Sequence, residues 1–170
     1  GMTFLGSPGG FARGGALCLI GSTTSVSRCS FLGNIAEGGN GGVNGEGGAV
    51  WVGSGDFRAD KCMWLSNGAY GHYRNSVLSG GGAFGGGLCV STGKVVVSSS
   101  SFVGNLAAPG GADRIGLDLH GESGLGGAMA LIHKDGTLIL VNSTVSSNRT
   151  EAAYSSNRDY DYGTSPPDCT

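Results

Sequence analysis

The densest set of reactive side chains lies in one short stretch, where Asp113, Arg114, Asp118, His120 and Glu122 follow one another. Carboxylates and an imidazole so grouped suit a Ca²⁺ site, a transition-metal site or a general acid/base pair. Their spacing matches no metal loop with fixed ligand positions, so a solvated loop kept soluble by its charges is the plainer reading. A second set, Tyr70, His72, Tyr73 and Arg74, offers amphipathic rings that stack on a sugar; packing of a loop over its own corner is the simpler alternative. A third, Arg28, Arg58, Asp60 and Lys61, pairs cations for an acidic polysaccharide with a carboxylate for a sugar proton. A glycosidase needs paired carboxylates at equivalent positions, and none is present. Binding is therefore the stronger expectation and catalysis the weaker. No cofactor is implied, Ca²⁺ at the 113–122 stretch being the one ion worth considering.

The elements that must carry these groups announce themselves by repetition. A Gly-Gly-Ala-hydrophobic opening recurs at Gly14, Gly47, Gly85 (with Gly87 for Ala) and Gly126, and an aromatic-x-x-Asn closing ends at Asn34, Asn67, Asn105 and Asn148. Ala16 to Asn34, Ala49 to Asn67 and Gly87 to Asn105 each span 18 positions, and Ala128 to Asn148 spans 20, while the stretches between copies vary widely. A fixed interior with variable exteriors is the mark of a stacked repeat. Aligned on the Asn, the residue three before it reads Phe31, Trp64, Phe102, Val145, and the residue five before it reads Cys29, Cys62, Ser100, Ser143. The two columns share strand parity and point inward. Leu17 and Leu19 with their equivalents make a second inward face, and Val26, Ala59, Val97 and Leu140 a third. Each unit is thus expected to hold about three short strands, one coil of a β-helix.

Paired glycines suit a corner where stacked Cβ atoms would clash. Asn tolerates the left-handed region, and its amide can donate to one coil while accepting from another. Cys29 and Cys62 fall on neighbouring coils about 4.8 Å apart, inside the range of a disulfide. They are therefore candidates for one, although a ladder of buried thiols is the commoner outcome. Cys18 and Cys89 share a position that Trp51 interrupts, so they should not bond. The stretches Ile35 to Glu46, Gly68 to Phe84 and Leu106 to Leu125 leave from one corner, the usual place for recognition on a rigid scaffold.

The composition narrows the class. The chain has 170 residues, 36 of them Gly, only 13% charged, and a net charge of −2. The glycines lack the period of three that collagen requires. Without a basic cluster nucleic acid is a poor partner, and no apolar run is long enough for a membrane span.

Gly-Gly-Ala-[Ile/Val/Leu] alternating with Phe-x-x-Asn resembles the repeat pair of the chlamydial polymorphic outer-membrane proteins and related autotransporter-like passengers. The resemblance covers residues 14 to 148 and implies a right-handed parallel β-helix on a cell surface or outside the cell, a stalk that is often adhesive. It departs from that family in showing no membrane-barrel segment. The expected architecture is a parallel β-helix solenoid over 1–150, with about four full coils and a partial first coil, then an irregular C-terminal strap or linker over 151–170 ending near Cys169. Phe4-Leu5-Gly6-Ser7 reads as a closing phrase with Ser for Asn, so the chain opens midway through a coil, leaving an edge for further repeats or another copy end to end. A non-catalytic structural or adhesive spacer is the leading expectation; its partners would be those repeats and a glycan or surface receptor. The alternative is a carbohydrate-active or glycan-binding β-helix, pectate-lyase-like, using the loop corner. Asn142 in Asn142-Ser143-Thr144 is an outward acceptor for N-glycosylation.

Overall fold

The computed structural model describes residues 3–5, 10–39, 43–72, 80–111 and 123–152. Those residues form short strands and turns only, and every strand pairing is parallel. The strands stack into five sheets running along one axis, which is a parallel β-helix.

The second coil shows the plan. It runs through Gly45–Glu46, Val50–Val52, Gly55–Asp60, Met63–Leu65 and Gly68–Tyr70, one strand for each of sheets 1 to 5 in that order. Five segments per coil replace the three expected. The two additional ones flank the variable stretches, whose first and last residues had been assigned to loop. Glu37 pairs with Tyr70, and Glu46 with Phe84, as regularly as any core position.

Three inward faces, from sheets 2, 3 and 4, fill the interior, and the aromatic column is its centre. Phe31 and Trp64 stack at 4.9 Å between ring centroids, and Trp64 and Phe102 at 4.3 Å and nearly parallel. Parallel in-register strands place equivalent side chains one above another, so flat rings at one position must stack. Val50, Val52, Leu88 and Val90 of sheet 2 and Val95 and Val97 of sheet 3 are fully buried against them. Sheet 3 carries a second inward column besides that of Val97, with the fully buried Phe57 beside Val95 and Leu138; it is not among the columns expected from the repeat.

The opening glycines do what the corner requires. Gly14, Gly47, Gly85 and Gly126 all have φ of 63–64°. Their successors have ordinary φ but no room: a Cβ on Gly48 would strike the carbonyl oxygen of Gly86 and the backbone of Gly68. The closing Asn, by contrast, does not take the left-handed conformation expected of it. The residue before it does, as Gly33 (58°), Ser66 (54°), Gly104 (61°) and Ser147 (55°). A second left-handed column, Arg28, Lys61, Ser99 and Asn142, bends the chain from sheet 3 into sheet 4.

The spacing of 20 in the last copy has a local cause. His133, Lys134 and Asp135 form an extra turn between Met129–Leu131 and Thr137–Val141, after which the register resumes at Thr137 opposite Lys94. At the other end, Thr3–Leu5 pairs with Ile35–Glu37, so Phe4 lies opposite Ala36 and not above Phe31. The segment is the strand that follows a closing phrase, not the phrase itself. Sheet 5 consequently has five strands where the others have four, and the stack begins with a partial coil as expected.

Candidate functional site

The variable stretches do emerge at one corner, between sheets 5 and 1. Their stems are glycine backbones packed on one another. Gly110 N–H donates to Gly81 O at 2.8 Å, Gly81 N–H to His72 O at 3.0 Å, and His72 N–H to Val43 O at 3.2 Å. A Cβ on Gly71, Gly80 or Gly81 would collide with neighbouring backbone, so the loops leave from a platform with no space to give. Of the residues singled out there, Asp113, Asp118, His120, Glu122 and Tyr73 lie outside the described residues. Tyr70 closes its strand half-buried, its ring against Gly68, with Glu37 opposite it on the next coil. His72 Nδ1 stands 3.9 Å from Glu37 Oε1. Among the described residues no three His, Cys, Asp or Glu side chains gather as metal ligands would.

The closing asparagines form a continuous ladder inside the stack. Asn34 Nδ2 donates to Asn67 Oδ1 at 2.9 Å, Asn67 Nδ2 to Asn105 Oδ1 at 2.8 Å, and Asn105 Nδ2 to Asn148 Oδ1 at 2.7 Å. Each of these acceptor oxygens also takes the main-chain N–H of the preceding Asn. The second amide hydrogens of Asn67, Asn105 and Asn148 reach Phe31 O, Trp64 O and Phe102 O. Donors and acceptors of a buried amide are thereby met without water, which is what burial demands.

The Cys/Ser column is a second ladder, and it explains why those two residue types stand in for one another at this position. Cys29 N–H points to Cys62 Sγ at 3.4 Å, Cys62 N–H to Ser100 Oγ at 3.0 Å, and Ser100 N–H to Ser143 Oγ at 3.2 Å. Each side chain returns its own hydrogen to the carbonyl two residues back, as Cys62 does to Asp60 and Ser100 to Ser98. Cys29 and Cys62, the disulfide candidates, are free thiols in this structure, as are Cys18 and Cys89. Burial raises the Cys62 thiol above its ordinary value and pushes the Cys89 thiol well above it, so they are poor nucleophiles at neutral pH.

One cluster was not legible as a unit. On the outer face of sheet 2, Trp51 and Cys89 are buried in spite of pointing away from the core, with Phe84 packed against them. Arg13 lies over the Trp51 ring at 4.6 Å and over Phe11 at 4.7 Å, while its Nε donates to the buried Glu46 at 2.8 Å. Arg13 and Glu46 share one register position on adjacent coils; opposite charges at equivalent repeat positions were the available signal.

The other candidate surface is the corner between sheets 3 and 4. Arg28, Lys61, Ser99 and Asn142 line a shallow groove along the stack with Ser30, Ser101 and Thr144. Arg58 and Asp60 border it on sheet 3, beside Ser25 and Ser98. Asn142 is exposed there, as its reading as a glycan acceptor requires. No known protein family, characterised protein or solved structure matches the chain.

Proposed function

We propose that this chain is a non-catalytic scaffold, a spacer segment of a longer β-helical stalk on a cell surface or outside the cell, whose loops and outer faces meet adhesive partners. One observation carries the reading: the described stack ends in open ladder edges. At the last coil Val145 is 47% exposed and Leu131 and Leu140 are exposed with it, although their equivalents Phe102, Val90 and Val97 are fully buried. Each of those side chains lacks only the coil that would sit on it. The opposite edge is stepped, since Thr3–Leu5 already fills the next level of sheet 5. Further coils of the same repeat fit such an edge directly, and a second copy fits it by competing for that level. The resemblance of the repeat pair to surface-exposed passengers supports the location.

Sedimentation velocity over a wide concentration range tests the open edges. Association that Val145→Lys and Leu140→Lys suppress, with the fold retained by circular dichroism, is the expected result. A chain that stays monomeric at every concentration overturns the edge-on reading.

A further inference from the structure

We propose that the groove between sheets 3 and 4 binds a sulfated polysaccharide laid along the stack axis, with Arg28 and Lys61 sharing its sulfate groups and Arg58 extending the site.

The argument begins with a cost. Ser27 pairs with Asp60 and Ser30 with Met63, so Arg28 and Lys61 occupy the same position on neighbouring coils, about 4.8 Å apart along the axis. Like charges directly opposite on adjacent strands are destabilising. Both residues also hold left-handed backbone, φ 52° and 53°, where Gly or Asn would be cheaper for any chain that needed only the bend. The other left-handed column, before the closing Asn, does use Gly twice, and the third and fourth coils place Ser99 and Asn142 at this one. The first two coils instead keep two long cations where the backbone disfavours them.

The nearby charges do not neutralise the pair. Asp60 is the carboxylate beside it, 4.0 Å from Lys61 Nζ on one oxygen and held by Ser98 Oγ at 2.8 Å on the other. Arg28 and Arg58 make no ion pair among the described residues. Arg58 lies outward on the strand that leads into Lys61, between Asp56 and Asp60 on the same face, so the corner itself holds two cations, Arg28 and Lys61, against the one engaged carboxylate of Asp60.

The shape and the remaining lining select the ligand. A sulfate ester presents three terminal oxygens in a tetrahedral array, which donors from two adjacent coils can share from different directions, whereas a planar carboxylate that meets one guanidinium bidentately turns both its oxygens toward that one donor. Ser30, Ser99, Ser101, Asn142 and Thr144 continue the groove beyond the cations, offering hydroxyl and amide groups to sugar hydroxyls. A groove that runs across the coils admits an extended chain better than a compact anion.

The test uses the full chain and heparin as the sulfated probe, with the same polysaccharide after removal of sulfate, a polyuronate and inorganic polyphosphate as comparison arms in titration calorimetry. Arg28→Asn and Lys61→Asn preserve the bend, since Asn already occupies it at 142, and Arg149→Asn removes a cation elsewhere on the surface. Salt-sensitive binding of heparin that weakens about tenfold in the Arg28→Asn/Lys61→Asn double variant, holds in Arg149→Asn and vanishes with the sulfate is expected. Several results overturn the proposal: no binding of heparin, equal binding by the double variant, equal loss in Arg149→Asn, or equal binding of the desulfated chain, the polyuronate or polyphosphate.

Discussion

Single residues show where this fold concentrates its stability. Phe102 is fully buried with Trp64 on one side, whereas Phe31 retains 7% exposure at the edge of the stack. Phe102→Ala should therefore cost about 3–5 kcal/mol and Phe31→Ala less, as chemical denaturation will show. Trp64 carries a different burden, because its buried indole N–H has no partner among the described residues. An unmet buried donor costs about 1–3 kcal/mol, so Trp64→Phe, which keeps the ring stack, should leave stability within about 1 kcal/mol of the parent or raise it. Sequence alignment alone made the aromatic column visible. It could not show the orphaned donor, which depends on what surrounds one ring edge. The thiols give a pH prediction. Burial raises the Cys89 thiol from an ordinary 9.0, so the folded state favours the protonated form. That contribution is complete below the unfolded value and is lost as pH rises above it. Unfolding midpoints compared at pH 7 and pH 10.5 should thus fall more for the parent than for Cys89→Ala.

At the scale of elements, corners matter more than strands. The Gly-Gly opening was legible because both its glycines are required, one by φ and the next by contact with the coil above. Gly48→Ala should lower the melting temperature severely or prevent folding. Gly33→Asn, at a left-handed corner where an added Cβ meets nothing, should shift stability by about 1 kcal/mol or less. The amide ladder of the closing Asn was legible, but the left-handed turn expected at the same residue sits on the one before it. Asn suits both roles, the ladder through its amide and the left-handed turn through its backbone, so residue type alone could not separate them. The short strands at loop stems were missed for another reason. Gly45–Glu46 and Ala83–Phe84 have two residues each, too few for any alternation, and only the stacking of whole coils defines them. Cys62→Ser should be tolerated because Ser100 performs the same exchange of hydrogen bonds one coil on, whereas Cys62→Ala removes both.

For the whole molecule, the repeat made the solenoid legible from the sequence, while only some of the surfaces that could recognise a partner were legible with it. A repeat encodes its interior at every coil, so four copies reinforce one reading. The outer face is encoded once per position: Arg28 and Lys61 could be singled out because the copies align on their closing Asn, whereas the Arg13–Glu46–Trp51 cluster becomes apparent only when the folded coils bring those side chains together. Stability in such a stack is close to a sum over coils and their interfaces, which makes the scaffold extendable if each coil is a complete unit. Inserting a second copy of residues 45–82, one full period of the stack, after Gly82 tests that most directly. Urea unfolding with small-angle scattering on the same sample should give a higher midpoint and a particle about 4.8 Å longer. An insertion that unfolds the chain, or leaves its length unchanged, would contradict a spacer built from interchangeable coils.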